Sequence, residues 1–548
     1  MFKRHNNFCK IAIFTIAAAI TLPGLSGVVA MADTPAAPYN INFTLGSDAT
    51  QLNFNWLTAT DNGPELQIAK TSALQNGNFP TGSTIYGAIY KVKATTAVLD
   101  QPDVNPNAAT GEYENKATAT GLAPSTQYSY RVGDGTTWSS TYTVTTGNPG
   151  SGFSFAAFGD PQIGASGAQA TDQAGWANTL STVTTKYPAL NFLFTLGDQV
   201  NNYDGLGTQT SEYQSFFNPD SSKTYLQNYP LVTLEGNHDY QMGTYYSFHY
   251  NQPNRSYLGQ TTNSNVKNND GDYWFTYGST LFLVLNANDA YDIAAHDKFI
   301  SKAIAANPNA KWKVAAWHQS AYSEANHSSN NAADDPILFI RQNWTKLMDK
   351  YGIDVVFQGH DHYYTRTFQM YGGVPDNTTK TNAVTSPKGT VYFTLDSGSG
   401  SKYYKFASAS DHTFSACAWQ NNVPTYSYIT MNNTQFTINT FRTDTGASID
   451  SYSITKTASS SAAKIAPASA SIKKLTGTTA AKTAAVTATA LGTAAANGVA
   501  NRIQVSPTNA AGSMNLIAVI ALISIVTLLA FGTFAIVSLK KKAGVNKE

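Results

Sequence analysis

The chain has little cysteine and little charge. Among its 548 residues only Cys9 and Cys417 are cysteines, and Cys9 lies in a segment that we expect to be removed. An intrachain disulfide framework and a cysteine-based zinc site are therefore excluded. Charged residues make up 13% of the sequence, about half the usual share. Because 35 Lys and Arg face 34 Asp and Glu, the net charge of +1 gives no overall electrostatic footprint, and we expect no specific nucleic-acid binding.

The first 32 residues have the pattern of a signal peptide. Lys3, Arg4 and Lys10 precede an apolar run over 11–20, and Ala30 and Ala32 are the small residues that a signal peptidase reads. We therefore expect an exported protein that begins at Asp33. An uncleaved N-terminal anchor is the alternative.

The other end of the chain predicts a membrane anchor. Residues 454–513 are rich in Ala, Ser and Thr, with no Asp or Glu, and indicate a flexible cationic stalk. Leu516–Leu539 contains no charge and, as a helix, spans about 36 Å, enough for a bilayer core of about 30 Å. Residues 540–548 begin with three lysines, which the positive-inside rule leaves in the cytosol.

This arrangement predicts a domain held at the outer cell surface by a transmembrane helix. It also resembles a Gram-positive cell-wall sorting signal, which would indicate a Gram-positive bacterium as the source. The usual Leu-Pro-x-Thr-Gly motif is missing, and residues 506–510 are only a loose substitute. Whether a sortase processes the C-terminus stays open.

Two folded regions are predicted between these ends. Residues 39–148 alternate apolar and polar side chains in short runs broken by Gly, Asn and Pro, which is typical of an all-β sandwich of fibronectin type III. In residues 151–453, apolar runs of strand length alternate with helical stretches, which indicates a layered α/β domain with buried strands.

Five apolar runs of the second region end in residues that commonly bind metals. In chain order these endings carry Asp160 and Gln162, then Asp198, then Asn237, His238 and Asp239, then His318, then His360 and His362. In open α/β sheets, ligands bind beyond the carboxyl ends of the strands. We therefore expect the five endings to converge on one site.

The residue types indicate which metals fit. Asp, Asn and His without Cys suit iron, manganese or zinc, and a carboxylate can bridge two ions. Two ions about 3.5–4 Å apart clamp a phosphoryl group and supply hydroxide near neutral pH, while an imidazole protonates the leaving oxygen. The pattern therefore predicts two divalent or trivalent ions at the centre of a hydrolase.

The order Gly-Asp, Gly-Asp, Gly-Asn-His-Asp, His and Gly-His-x-His resembles the calcineurin-like metallophosphoesterase superfamily. The segment from Leu122 to Gly133, followed by Trp138, resembles the fibronectin-like N-terminal domain of purple acid phosphatases. The resemblance covers about residues 39–453 and implies a four-layer αββα domain.

The resemblance also implies a role for each residue. Asp160 and His362 would bind the first metal, and Asp198 would bridge both. Asn237, His318 and His360 would hold the second metal. His238 would contact phosphate and protonate the leaving group, with Asp239 orienting it, and His327 would be a second substrate-facing histidine.

Two positions depart from the family pattern. Gln162 stands where many members have a metal-binding His, so we expect it to bind through its amide oxygen or to leave the first metal more open. Asn201 stands where purple acid phosphatases have the Tyr that gives iron(III) its colour, and Tyr203 is two residues too far. We therefore expect a protein that is not purple.

The leading hypothesis is an extracellular metal-dependent phosphatase, a hydrolase of phosphate monoesters. Its substrate would be a phosphorylated small molecule or a cell-envelope phosphate. A phosphodiesterase or nucleotidase with the same metal centre stays open, because specificity lies in loops. A surface adhesin with an inactive phosphoesterase domain is the less favoured alternative, because the expected ligands are all present.

Overall fold

The computed structural model describes residues 37–457, except for 60–62, 87, 92–111, 202–205, 241–242, 257–270, 331–335 and 409–410. The predicted signal peptide, nearly all of the stalk, the Leu516–Leu539 helix and the basic tail lie outside these residues. Within the described part of the chain, no helix is long and apolar enough to cross a bilayer.

The N-terminal region is a sandwich of two four-stranded antiparallel sheets, as the alternating pattern predicts. One sheet has the order β1-β2-β6-β5 and the other β4-β3-β7-β8. Phe43, Phe54 and Tyr130 pack between them with ring centroids 4.8–5.6 Å apart. The strands are β1 (Tyr39–Leu45), β2 (Leu52–Thr58), β3 (Glu65–Lys70), β4 (Thr84–Tyr86), β5 (Ala88–Lys91), β6 (Tyr113–Ala119), β7 (Gln127–Gly133) and β8 (Tyr142–Thr145).

The α/β domain contains two seven-stranded sheets. In the first, with the order β11-β10-β9-β22-β23-β24-β19, strands β9, β10 and β11 are parallel and β22 runs antiparallel to β9. Its strands are β9 (Phe153–Phe158), β10 (Phe192–Thr195), β11 (Leu231–Thr233), β19 (Ala383–Thr385), β22 (Thr425–Met431), β23 (Gln435–Arg442) and β24 (Ser448–Thr455).

The second sheet has the order β12-β13-β14-β15-β20-β16-β21, and its strands β13, β14, β15 and β20 are parallel. Its strands are β12 (Tyr273–Tyr277), β13 (Thr280–Val284), β14 (Trp312–Ala316), β15 (Val355–Gln358), β16 (Tyr364–Thr367), β20 (Val391–Thr394) and β21 (Ser415–Trp419). A small separate hairpin pairs β17 (Met370–Tyr371) with β18 (Val374–Pro375).

The two sheets face each other across an aromatic core, and helices cover their outer faces. Phe155 of the first sheet lies 5.9 Å from Phe282 and 6.1 Å from Phe357 of the second, measured between ring centroids. The helices are α1 (Gln169–Lys186), α2 (Leu206–Phe217), α3 (Tyr225–Asn228), α4 (Asn237–Tyr240), α5 (Ile293–Ala306), α6 (Asn326–Asn330) and α7 (Ile337–Tyr351). Short 3₁₀ turns cover Thr71–Ala73, Pro149–Ser151, Gly243–His249 and Ala287–Asp289.

Helix α1 buries Trp176 and Leu180 against the first sheet, and α7 buries Trp344 against the second. Each fully buried large side chain contributes roughly 1.5–3 kcal/mol to folding. The described residues thus confirm the predicted β sandwich followed by an αββα domain.

The sandwich docks firmly on the α/β domain. The Tyr130 hydroxyl donates to the Gln227 carbonyl at 2.6 Å, and the Gln227 amide donates to the Ile41 carbonyl at 3.1 Å. The Asn42 amide donates to the His249 carbonyl at 2.9 Å. On separation these groups would bond to water instead, so each hydrogen bond contributes about 0.5–1.5 kcal/mol net to the docking of the two regions.

Candidate metal centre

Five strands end next to one another and deliver the predicted residues to one place. Asp160 follows β9, Asp198 follows β10 and Asn237 follows β11, all in the first sheet. His318 follows β14 and His360 follows β15 in the second sheet. Because these strands are parallel within each sheet, their carboxyl ends meet at one rim.

The first cluster of donor atoms surrounds the Asn237 amide oxygen. The His318 Nε2 lies 3.1 Å and the His360 Nδ1 3.0 Å from Asn237 Oδ1. The two ring nitrogens are 3.3 Å apart. Asp198 Oδ2 is 3.3 Å from His318 Nε2, which completes a cluster of four residues from both sheets.

The second cluster lies beside the first and is built on Asp160. The His362 Nε2 is 3.2 Å from Asp160 Oδ2, which in turn is 3.9 Å from His318 Nε2. The Gln162 amide donates to Asn201 Oδ1 at 3.3 Å, while the Gln162 Oε1 is buried and has no hydrogen-bond partner among the described residues.

Backbone strain is concentrated at these positions. Of the ten non-glycine residues with positive φ in the described chain, four are predicted ligands: Gln162 (35°), Asp198 (46°), His360 (74°) and His362 (42°). Such conformations cost about 1–3 kcal/mol each and persist where the surrounding structure enforces them. The strain therefore indicates a site whose geometry is selected for function.

Glycines allow the ligands to approach so closely. A Cβ atom on Gly236 would lie 2.1 Å from Asp198 Oδ1, and one on Gly359 would lie 2.3 Å from Asp160 Oδ1. Any side chain at either position would displace a carboxylate. Gly236 is thus explained by its contact with the loop after the neighbouring strand β10, and Gly359 by its contact with the loop after β9 of the other sheet.

Backbone carbonyls fix the orientation of two imidazoles. The His318 Nδ1 donates to the Leu196 carbonyl at 2.7 Å, and the His362 Nδ1 donates to the Lys402 carbonyl at 2.8 Å. Each Nε2 therefore points into the site, where the neutral form of the ring would bind a metal.

The site holds strongly coupled charges. Burial acts to raise the pKa of Asp198, but His318 and His238 outweigh it and hold that pKa well below its usual range. Burial acts to lower the pKa of His318, yet Asp198 and Asp160 raise it to about 10. Two buried carboxylates thus supply negative charge that a bound cation would offset.

These residues fit a pair of metal ions. Oxygen and imidazole donors from Asp198, His318 and His360 lie within 4.8 Å of one another. Asp198 Oδ2 and Asp160 Oδ2 lie 3.3 Å and 3.9 Å from the same His318 Nε2, so the two clusters adjoin. The unpartnered Gln162 Oε1 offers a further oxygen at the first-metal cluster. The donor set contains no sulfur, which favours iron, manganese or zinc.

His238 lies at the rim of this site, and its orientation differs from the expectation. Its Nδ1 donates to the Asn201 carbonyl at 2.6 Å, and its Nε2 lies 4.0 Å from Asp198 Oδ2. Burial, with a smaller contribution from the charge of Lys402, lowers the pKa of His238.

Asp239 does not make the contact to His238 that the resemblance implied. Its carboxylate accepts the backbone N–H groups of Gln199 at 3.1 Å and Gly236 at 3.0 Å, and the Tyr213 hydroxyl at 3.1 Å. The orienting contact that the structure shows is the Asn201 carbonyl. Asp239 instead links the loops that follow β10 and β11, because its carboxylate accepts a backbone N–H group from each loop.

His327 comes close to the centre. Its ring centroid is 4.8 Å from that of His360, and its Nδ1 is 3.0 Å from Asp361 Oδ1. Burial acts to raise the pKa of Asp361, but the hydrogen bond from His327 lowers it. The Ser328 hydroxyl donates to the same carboxylate oxygen at 2.5 Å.

Sequence reasoning missed the loop that begins after β20. Ser397 Oγ donates to the Asp160 carbonyl at 3.1 Å, and Lys402 and Tyr404 line the site next to His362 and His327. A signal was present, because Val391–Leu395 is an apolar run that ends in Asp396, like the five others.

Comparison with known proteins agrees with this geometry. Residues 38–146 match the family described as purple acid phosphatase, N-terminal domain, and residues 153–364 match calcineurin-like phosphoesterase. The α/β domain of the chain is thus similar to calcineurin-like phosphoesterases, and the β sandwich to the N-terminal domain of purple acid phosphatases. The predicted resemblance is thereby confirmed, and the predicted enzyme class, a phosphoric ester hydrolase, is that of the family.

Individual relatives share modest identity with this chain. An uncharacterized protein of Mycobacterium tuberculosis is 27% identical over 318 residues, which cover 53% of this chain and 58% of that protein. Purple acid phosphatase 15 of Arabidopsis thaliana is 25% identical over 416 residues, 69% of this chain and 71% of that one. The chain thus spans somewhat over half the length of the mycobacterial relative.

A solved structure shares the fold. The purple acid phosphatase PPD1 from yellow lupin seeds superposes with a TM-score of 0.63 and 19% identity, covering 81% of this chain and 79% of that one. At this identity the likeness concerns the fold alone.

Proposed function

We propose that this protein is a metal-dependent phosphatase that hydrolyses phosphate monoesters at the candidate metal centre. The observation that carries the proposal is that two clusters of donor atoms adjoin at His318, whose Nε2 lies 3.3 Å from Asp198 Oδ2 and 3.9 Å from Asp160 Oδ2. Asn237 and His360 complete the first cluster, and His362 completes the second. This arrangement fits two ions that share a carboxylate.

Each cluster would hold one metal ion. When bound, the two ions would neutralise phosphate oxygens and activate water as a nucleophile. The strained backbone and the fixed tautomers of His318 and His362 keep the ligand atoms aimed into the site before metal or substrate arrives. Such preorganisation reduces the reorganisation required during the reaction.

The chain itself supplies the acid. With its Nδ1–H donated to the Asn201 carbonyl, His238 presents Nε2 to the site. A phosphate dianion nearby would favour the protonated ring. His238 can then hold a phosphate oxygen and give the Nε2 proton to the leaving oxygen, which is general acid catalysis. His327, aligned by Asp361, flanks the same space.

The test is steady-state hydrolysis by the full-length protein loaded in turn with manganese, zinc and iron. 4-Nitrophenyl phosphate and bis(4-nitrophenyl) phosphate would be compared, with metal content measured in parallel. We expect two metal ions per chain and faster monoester hydrolysis. Asp198→Asn should lose metal and at least about 10³-fold in kcat/KM, a typical scale for removal of a catalytic group.

The control is Asp376→Asn, which removes an exposed carboxylate and should change neither quantity. Faster hydrolysis of the diester would instead identify a phosphodiesterase. A folded, metal-loaded protein without activity on either ester would overturn the proposal and favour the adhesin.

We also propose that the protein is exported and held at the cell surface, where a cell-envelope phosphate is a suitable substrate. The support is the sequence pattern of residues 1–32 and 516–539. Protease treatment of intact cells should remove the epitope of a tag placed within the stalk. Full protection of that tag would contradict the proposed location.

A further inference from the structure

Lys402 places an ammonium group beside the metal centre. Its backbone carbonyl accepts the His362 Nδ1–H at 2.8 Å, which ties the residue to a predicted metal ligand. Its Nζ lies 4.9 Å from the centroid of the Tyr404 ring.

The ammonium group has no anionic partner in the described part of the chain. No carboxylate forms an ion pair with Lys402 there, and its side chain is only partly exposed. The contact with the Tyr404 ring is worth about 0.5–1 kcal/mol. With metal ions bound at the centre, a neighbouring unpaired ammonium group would be unfavourable, because like charges repel. An anion bound next to the ammonium group would make its electrostatic energy at this place favourable.

Tyr404 fixes where that charge lies. Its ring stacks on His327 with centroids 4.4 Å apart and an angle of 12° between planes. The same ring meets the edge of His362 at 5.6 Å. His327 is in turn held by Asp361. Lys402 thus contacts a group of rings, formed by Tyr404, His327 and His362, that adjoins the candidate metal centre.

We propose that Lys402 binds a second anionic group of the substrate, a carboxylate or phosphate carried by the leaving group. This inference rests on the proposed function and names the substrate class: phosphate esters and anhydrides with a second negative charge near the scissile phosphate. The scissile phosphoryl group would occupy the metal centre, while Lys402 selects among leaving groups. Tyr404 is a positioning residue for the ammonium group.

The experiment compares three substrates with full-length, metal-loaded protein. Glycerol 2-phosphate has an uncharged leaving group, 2-phosphoglycerate replaces a hydroxymethyl by a carboxylate, and pyrophosphate supplies a phosphate. Lys402→Met should raise KM for the two charged substrates by about tenfold or more, as expected for a charge-assisted contact. It should change kcat/KM for glycerol 2-phosphate less than twofold. Lys402→Arg should retain the preference.

Lys405→Met is the matched control, because Lys405 lies three residues away with an exposed side chain. It should leave the substrate preference unchanged. A second measurement does not depend on turnover: binding of phosphonoacetate and methylenediphosphonate, relative to methylphosphonate, should weaken about tenfold in Lys402→Met. Raised salt should reduce the preference of the native protein.

An equal loss of kcat/KM on all three substrates in Lys402→Met would overturn the inference and assign Lys402 a structural role through His362. An unchanged preference would overturn it as well. If Lys402→Met loses kcat/KM only on 2-phosphoglycerate, the natural second group is a carboxylate. If it loses kcat/KM only on pyrophosphate, the natural second group is a phosphate. If native protein hydrolyses none of the three substrates or the nitrophenyl ester, the proposed function itself fails.

Discussion

Buried histidines occur in two contrasting surroundings within the α/β domain. At the candidate metal centre, His318 and His360 direct ring nitrogens at each other across 3.3 Å. His296, on helix α5, instead has an acceptor at each nitrogen: Asp272 Oδ2 at 2.7 Å from Nδ1 and the Asp289 carbonyl at 3.2 Å from Nε2. Its ring packs 4.5 Å from Trp344.

The contrast extends to the backbone. His360 and His362 adopt positive φ, whereas His296 lies within a regular helix. The converging lone pairs and the strain at the centre are unfavourable unless something binds there. The His296 network is complete by itself. Burial thus identifies neither group as functional, and only the direction of the ring nitrogens separates a ligand from a structural histidine.

The largest expected effect comes from breaking the centre. His318→Ala should lower kcat/KM for 4-nitrophenyl phosphate by at least about 10³-fold, because it removes a ligand from the cluster around Asn237. Metal analysis should show the accompanying loss of metal. His296→Ala should retain kcat/KM per folded molecule, since its ring contacts no residue of the centre. Equal losses of kcat/KM in His318→Ala and His296→Ala would contradict the distinction between a metal-binding and a structural histidine.

Gly236→Ala tests whether close approach matters at the centre. The new Cβ would displace the Asp198 carboxylate, and we expect kcat/KM to fall about 10²-fold, as displacements near 1 Å can do. Gly150→Ala is the control, because a Cβ there meets only Asn148 Oδ1 at 3.5 Å. Retained activity in Gly236→Ala would show that the Asp198 position is adjustable.

Asp272→Asn tests the structural group. The change leaves the buried His296 ring without its charged partner and should lower the free energy of unfolding by about 3 kcal/mol. Chemical denaturation measures this, with Asp376→Asn as the exposed control. Activity of the folded fraction should remain. A loss of activity without a loss of stability would connect Asp272 to the centre instead.

The pH dependence of stability should show a smaller effect. Burial acts to lower the pKa of His296, but Asp272 raises it above 6.5, and burial raises the pKa of Asp289 to about 7. Both groups bind protons more tightly in the folded protein. Their contribution is present at low pH and declines as pH rises, between about 4 and 7 for Asp289 and above about 6.5 for His296.

The native protein should therefore lose about 1–2 kcal/mol of this contribution between pH 6 and 8, on the scale of one pKa unit. Melting temperatures of the native protein and of Asp272→Asn, measured across this range at fixed metal content, would test it. A parallel pH dependence in both proteins would show that His296 is not the responsible group.

Much of the fold was predictable from local patterns. The apolar run that precedes the first Gly-Asp motif forms β9 (Phe153–Phe158), and the helical stretch after that motif forms Gln169–Lys186. These elements bury apolar faces with a period that the sequence displays. Boundaries shifted by one or two residues elsewhere, where caps and turns decide the end.

The site was predictable to the extent that its residues follow strands in recognisable motifs. Asp160, Asp198, Asn237, His318, His360 and His362 all reach the centre, because parallel strands bring their ends to one rim. Asp239 was assigned the wrong contact. Side chains of adjacent residues need not contact each other in a tight turn. The Asp239 carboxylate points away from His238 and accepts the buried N–H groups of Gln199 and Gly236.

The sequence by itself determined the two folded regions, the family and the set of candidate ligands, because these depend on residue type and on short-range periodicity. Only the tertiary structure decided which carbonyl orients each imidazole, that Asn201 contacts His238, and that Lys402 and Tyr404 join the site. Those contacts link residues up to 122 positions apart. They depend on how loops close over the strand ends, which no local pattern records.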